Sequence, residues 1–199
     1  MSGHSRVCLF GGTFDPIHNA HLRIATEAKN KFHLDRVLFV PAGSPPHKVA
    51  EGVTPYEDRF QMVLATVGGI PGFEASRLEE GSRKSYTIET VERLLPSLEP
   101  GAELFFLIGS DAFDEIESWR RWQDLVRLVT FIVAARPGRE YRTPTGARVL
   151  RLDSVALETS SSDIRSRLSA GELPDELPET VKQYIVKHGL YGWPASVLS

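Results

Sequence analysis

The hydrophobic positions of the chain follow two alternating patterns. Short runs that are rich in β-branched and aromatic residues, and apolar almost throughout, alternate with segments in which apolar residues recur every three or four positions. Continuous apolar runs suit strands that are buried on both faces of a parallel sheet, whereas the spaced pattern is typical of helices that cover such a sheet. The predicted strands are residues 6–10, 36–40, 72–76, 103–108, 130–135 and 148–152.

Helices are predicted between these strands. The first begins near His18, and the second has a readable start: Thr54 can cap the free amides, Pro55 suits the first helical position, and Glu57 completes a capping box. Gly68 and Gly69 are expected to end it. Further helices are predicted over residues 87–98, 122–128, 161–170 and 179–188. The alternation predicts an α/β fold, a Rossmann-like doubly wound, mainly parallel sheet with helices on both faces.

Composition narrows the class of protein. With 199 residues, 41% hydrophobic and 25% charged, the chain is expected to form a single domain over 1–199, with a helical subregion over about 155–199. A net charge of -3 offers no basic field for a nucleic acid, so no nucleic-acid partner is expected. No stretch approaches the ~20 apolar residues that span a bilayer, so no membrane partner and a cytoplasmic location are expected. The single cysteine, Cys8, lies in an apolar run and is expected to be buried.

The strongest chemical feature follows the first strand. Residues 11–21 read GGTFDPIHNAH and lead directly into the first helix. Gly11 and Gly12 let the backbone approach an anion closely, and the amides at a helix start point free hydrogens at it. His18 and His21 are three positions apart, which places both imidazoles on one face where they can donate to the same phosphate chain. The segment therefore predicts a phosphate site.

Two other interpretations of this loop are weaker. An ordinary tight turn with two satisfied histidines would explain each residue singly, but not the ordered combination with Pro16. A zinc site would need carboxylate or cysteine partners that this spacing does not supply. Neither a Walker loop nor a dinucleotide fingerprint fits, because the Lys-Ser/Thr ending and the third glycine are missing.

A second phosphate site is predicted near residue 160. Residues 159–168 read TSSSDIRSRL, in which serine hydroxyls can cap a helix and Arg165 falls in its first turns. Read alone, the segment is equally a plain N-cap with a solvated arginine. Its combination with the histidine loop favours the phosphate site.

The two motifs resemble the nucleotidyltransferase superfamily with the signature His-x-Gly-His, and within it the bacterial nicotinate mononucleotide adenylyltransferases. The opening pattern Gly-Gly-x-Phe-Asp-Pro-x-His-x-Gly-His is met except at Ala20, where the family has glycine. The second motif resembles Ser-Ser-Thr-x-Ile-Arg, with Ser162 in place of threonine. The resemblance implies adenylyl transfer from ATP to nicotinate mononucleotide in NAD biosynthesis, with Mg²⁺ carried by the ATP.

The resemblance also implies residue roles. His18, His21 and Arg165 would be catalytic. The residues implied to bind ATP are Gly11, Gly12, Thr13, Phe14, Gly109, Asp111, Ser161, Ser162 and Ile164. The residues implied to bind the acceptor are His47, Lys48, Tyr86, Thr87, Trp119 and Arg136. Without the resemblance, these residues have simpler explanations. His47 and Lys48 would lie in a rigid surface turn. Thr87 and Asp111 would be helix N-caps, and Arg136 would be a surface arginine.

Several rival functions stay open at this stage. Another enzyme of the same superfamily, such as a phosphopantetheine adenylyltransferase or a cytidylyltransferase, would share the histidine loop. A non-catalytic nucleotide-binding sensor would share the fold, although the intact His18, His21 and Arg165 argue against lost turnover. The sequence does not fix the oligomeric state, and a homo-oligomer is compatible with it.

Overall fold

The computed structural model describes residues 4–43, 52–81, 84, 86–154 and 159–194. Every predicted strand is present, with ends that differ by at most two residues. The strands are β1 (Arg6–Gly12), β2 (Arg36–Pro41), β3 (Phe73–Ala75), β4 (Glu103–Gly109), β5 (Thr130–Ala135) and β6 (Arg148–Asp153). The helices are α1 (Asn19–Lys31), α2 (Tyr56–Val67), α3 (Thr87–Leu94), α4 (Ser110–Asp114), α5 (Trp122–Leu128), α6 (Ser161–Ser169) and α7 (Glu179–His188).

Within the described residues the strands form one six-stranded sheet in the order β3-β2-β1-β4-β5-β6. All five neighbouring pairs are parallel. The chain moves from β1 to one side of the sheet through β2 and β3, and then returns to the other side through β4. A crevice opens at such a reversal, outside the carboxyl ends of β1 and β4. The predicted Rossmann-like doubly wound fold is confirmed.

Two hydrophobic cores cover the two faces of the sheet. One contains Ile24 of α1 and Val63 of α2, together with Ile164 of α6 and Ile185 of α7. The other is built from α3, α4 and α5 against the opposite face. The C-terminal helices thus share a core with the sheet and α2. Cys8 is fully buried as predicted, and burial raises the pKa of its thiol to about 12, which makes it a poor nucleophile.

Helix ends differ from the predictions in two places. The predicted Thr54 cap of α2 is wrong: the helix begins at Tyr56 with Pro55 as N-cap. Thr54 is held elsewhere, because its carbonyl oxygen accepts from Arg59 Nε at 2.9 Å and its amide donates to Asp15 Oδ2 at 3.4 Å. The helix predicted to reach residue 98 becomes a 3₁₀ turn at Leu95–Ser97, where Pro96 cannot continue the α-helical hydrogen bonds.

One helix was not predicted. Helix α4 spans only five residues directly after β4, which is too short for a helical period to show in the sequence. Among the helices of the described ranges, none is long and apolar enough to cross a membrane.

Candidate active site

The loop after β1 turns tightly before α1 starts. Phe14 has a left-handed backbone (φ 48°) and a buried ring, and the peptide between Asp15 and Pro16 is cis. A Cβ on Gly12 would lie 3.0 Å from the Phe14 ring, so a side chain at this position would press on that buried ring. The turn leaves His18 as the N-cap residue of α1.

The two histidines lie against each other at this helix start, as their spacing predicted. Their ring centroids are 3.8 Å apart, and the His18 amide donates to His21 Nδ1 at 3.2 Å. This bond leaves the Nε2 atom of His21 to carry the proton, so that it can donate to a ligand. His18 is only 4% exposed, and its Nδ1 atom is buried without a hydrogen-bond partner among the described residues. Ala20 is buried in the first turn of α1, so the methyl group in place of the family's glycine is accommodated.

Burial keeps both imidazoles neutral. It lowers the pKa of His18 to about 4, although the nearby Glu176 carboxylate acts in the opposite direction. The pKa of His21 lies well below its ordinary value, first through burial and then through His18. At pH 7 the free site therefore presents two neutral imidazoles, each of which can donate one hydrogen bond.

This pKa shift predicts how stability depends on pH. The unfolded chain protonates His18 near pH 6.5, but the folded chain does so only near pH 4, so acid favours the unfolded state. The stability contributed by neutral His18 is complete above pH 6.5 and is lost as the pH falls through 4. In His18→Gln, the loss of unfolding free energy between pH 7 and pH 4 should shrink by about 3 kcal/mol.

Urea denaturation at a series of pH values measures this difference. His33→Asn is the matched control, since His33 is exposed and asparagine tolerates its positive φ of 50°. If the wild type and His18→Gln lose equal stability on acidification, neutral burial of His18 is wrong.

The amide that opens α1 is already occupied. The Asn19 amide donates to the carbonyl oxygen of Glu176 at 2.8 Å, and its side-chain nitrogen donates to that of Asp175 at 3.1 Å. The expectation that the first amides of this helix are free for an anion is therefore wrong for Asn19.

Helix α6 holds this loop from the other side. Arg165 Nη1 donates to the carbonyl oxygen of Asp15 at 2.8 Å, and Ser161 Oγ donates to that of Pro16 at 3.2 Å. Arg165 Nη2 also donates to Ser162 Oγ at 3.2 Å, which leaves three of its five N–H groups for a ligand. Ser160 caps the helix by accepting from the Asp163 amide. The two predicted motifs thus meet at one loop.

The sequence-based reasoning missed Arg59, which braces the same loop. Its guanidinium donates to the carbonyl oxygens of Thr13 (2.7 Å), Ala42 (2.8 Å) and Thr54 (2.9 Å), and the residue is 1% exposed. Burial lowers the pKa of Arg59 and the Asp15 carboxylate raises it, yet an arginine stays charged. A charged residue four positions before Val63, on the apolar stripe of α2, was the signal that could have revealed it.

The carboxyl ends of β4 and β5 form the wall of a cavity of about 280 Å³. Its lining residues are Gly109, Ser110, Asp111, Arg136 and Arg139. Asp111 is not an N-cap, because Gly109 takes that place; its Oδ1 accepts from Arg139 Nη2 at 3.3 Å. The sequence assigned Asp111 to ATP and Arg136 to the acceptor, and the structure brings both to one cavity.

The remaining acceptor residues divide into three groups. Tyr86 is the N-cap of α3 and Thr87 its first residue, so the Thr87 side chain is not a cap. Trp119 is partly buried and meets the Phe106 ring edge-on at 6.3 Å between centroids. Arg120 lies 4.7 Å above the Tyr86 ring. His47 and Lys48 lie outside the described residues.

Three residues predicted to bind ATP take part in contacts within the protein. Phe14 is 2% exposed and its ring packs edge-on against His21 at 5.1 Å. Ile164 is fully buried, and its amide donates to the Ser160 carbonyl oxygen. Thr13 contributes its carbonyl oxygen to Arg59. Phe14 and Ile164 thus contribute their side chains to the hydrophobic core.

Comparisons with known proteins identify the family of this chain. A model of the cytidylyltransferase-like family matches residues 9–167. A probable nicotinate-nucleotide adenylyltransferase of Solibacter usitatus is 50% identical over 186 residues, which cover 94% of this chain and 99% of the relative. One from Desulfitobacterium hafniense is 43% identical over 200 residues and covers 94% and 95%.

A solved structure shares the fold. The nicotinic acid mononucleotide adenylyltransferase of Plasmodium falciparum, complexed with NaAD, superimposes with a TM-score of 0.78 at 22% identity, covering 96% of this chain and 98% of the other. The fold and the relatives that match almost the whole chain therefore agree. The chain belongs to the nicotinate-nucleotide adenylyltransferases, within the cytidylyltransferase-like family.

Proposed function

We propose that the chain transfers the adenylyl group of ATP to nicotinate mononucleotide, giving nicotinate adenine dinucleotide and pyrophosphate, a step of NAD biosynthesis. One observation carries the proposal most directly: Arg165 reaches the loop that ends in His18 and His21, at the carboxyl edge of the sheet. In this arrangement the Arg165 guanidinium and the two imidazoles would bind the triphosphate of one ATP molecule. The names of the relatives that match nearly the whole chain support this substrate pair.

The reaction needs no covalent enzyme intermediate. An oxygen of the acceptor's 5′-phosphate attacks the α-phosphorus of ATP, and the bond from that phosphorus to the bridging oxygen breaks as pyrophosphate leaves. The nucleophile is already ionised, so catalysis consists of alignment and of stabilising charge on the phosphate oxygens. His18 and His21 donate N–H groups to these oxygens, and Arg165 supplies the positive charge that neutral imidazoles lack.

The triphosphate also brings its own cation. Among the described residues, no group of three or more histidine, cysteine, aspartate or glutamate side chains is placed to hold a metal ion. We propose that Mg²⁺ enters as part of the substrate MgATP, with phosphate oxygens and water as its ligands.

Acceptor recognition is assigned to residues of α3 and to Trp119. We propose that Thr87, at the start of α3, receives the nicotinate carboxylate beside Tyr86, and that Trp119 stacks on the pyridine ring. Gly109 and Asp111 would contact the nucleoside of ATP. Arg136 would bind the acceptor phosphate, since it lines the same cavity. His47 and Lys48 would complete the phosphate contacts.

We further propose that the chain is one domain, since α6 and α7 pack into the core that covers one face of the sheet. Its partners would be the two small-molecule substrates, in the cytoplasm, with no nucleic acid. Light scattering in solution would determine whether it forms a homo-oligomer.

Pyrophosphate release tests the function directly. The purified protein with MgATP is offered nicotinate mononucleotide, nicotinamide mononucleotide and phosphopantetheine in parallel, and MgCTP replaces MgATP in a matched series. We expect the highest kcat/KM with MgATP and nicotinate mononucleotide. Faster release with phosphopantetheine or with CTP would assign a different transferase, and no release with any pair would indicate a nucleotide sensor.

A further inference from the structure

A buried carboxylate lies within the histidine loop. Asp15 is 2% exposed, and its Oδ1 atom accepts from the hydroxyl of Tyr191 at 2.8 Å. Its other oxygen accepts from the Thr54 amide at 3.4 Å, and the positive charge of Arg59 lies nearby. A buried charge is stable only when it is paired and hydrogen-bonded, so these contacts determine where Asp15 can sit.

The same residue holds Arg165 through its backbone. The carbonyl oxygen of Asp15 accepts from Arg165 Nη1 at 2.8 Å. A shift of the Asp15 side chain would turn its peptide group and with it the direction of the Arg165 guanidinium. Asp15 therefore connects Tyr191 to the cation assigned to the triphosphate.

Tyr191 adopts a backbone conformation that residues with a side chain rarely take. It has φ 56° and ψ 29° in the short turn Leu190–Gly192, which follows the left-handed Gly189 at the end of α7. This conformation is disfavoured for any residue with a Cβ, and it persists where surrounding contacts require it. Here it directs the phenol ring against the core and its hydroxyl to Asp15.

We infer that Tyr191 is a positioning residue for adenylyl transfer, acting through Asp15 on Arg165. The inference rests on the proposed function of the histidine loop. Tyr191 itself touches neither substrate in this scheme. Its contribution is to fix the peptide that aligns the guanidinium with the departing pyrophosphate.

Tyr191→Phe tests this assignment, because it removes one hydroxyl and keeps the ring in the core. We expect kcat to fall about tenfold, the size of losing one hydrogen bond to a charged group, while KM for nicotinate mononucleotide changes less than about twofold. Tyr184→Phe is the matched control: Tyr184 donates to Asp58 at 3.0 Å, which ties α7 to α2 but lies outside the loop. It should keep the wild-type kcat.

A double-mutant cycle separates positioning from general stability. In an Arg165→Met background, Tyr191→Phe should reduce kcat less than about twofold further, since the residue it aligns is already gone. Full additivity of the two losses, an unchanged kcat in Tyr191→Phe, or equal losses in both tyrosine variants would overturn the inference while leaving the proposed function intact. A wild-type protein without transfer activity would overturn both.

Discussion

Replacing His18 by alanine is expected to lower kcat for adenylyl transfer by about 100-fold. One donor aimed at charge that develops in the transition state contributes on the order of 10²-fold or more to turnover when water is excluded. The buried imidazole meets this condition, with 4% of its surface exposed. Because the interaction forms mainly in the transition state, KM for ATP should change much less than kcat.

Steady-state kinetics with both substrates varied provides the measurement. His33→Asn removes an exposed imidazole at the far end of α1 and should leave kcat unchanged. Turnover of His18→Ala within threefold of the wild type would remove His18 from the reaction. A large rise in KM without a fall in kcat would instead make it a ground-state binding residue.

Replacing Arg59 by methionine is expected to lower the free energy of unfolding by about 3–5 kcal/mol. The change leaves three backbone carbonyl oxygens without their donor and deprives the buried Asp15 carboxylate of its neighbouring positive charge. Each buried acceptor that loses its donor costs about 1–3 kcal/mol, so three of them account for a loss of this size. Arg59→Lys keeps the charge but cannot reach three acceptors in a fixed fork, so its loss should be intermediate.

Urea denaturation compares these variants with Arg23→Met, which removes an exposed arginine paired with Glu27 four residues on. Such surface pairs contribute at most a few tenths of a kcal/mol, so this control should stay close to the wild type. A loss in Arg59→Met no larger than in Arg23→Met would show that the contacts of Arg59 contribute little to folding.

The strands could be predicted from the sequence because burial on both faces leaves little room for polar residues. The run over 130–135 coincides with β5 from end to end. Helix ends were harder to predict where tertiary contacts compete with the local preferences of capping residues. Thr54 has the chemistry of an N-cap, but Arg59 and Asp15 bind its backbone groups and leave that position to Pro55.

The candidate site also has features that the sequence predicted and features that it did not. The local spacing of His18 and His21 placed the two imidazoles on one face, and the structure agrees. The loop's supports carry no motif of their own. Arg59 and Tyr191 approach the loop from distant segments, and only the charge of Arg59 on the apolar stripe of α2 signals one of them in the sequence. Neutralisation by burial was equally hidden, since desolvation is set by neighbours that only the folded chain assembles.

The long sequence separations within this loop have a consequence for biosynthesis. Asp15 is bound by side chains 150 and 176 positions further along the chain. The ribosome releases Asp15 well before Arg165 and Tyr191, and closing such distant contacts is slow compared with forming a helix. A growing polypeptide therefore lacks the contacts that hold Asp15 until Arg165 and Tyr191 have left the ribosome, however early its central strand is available.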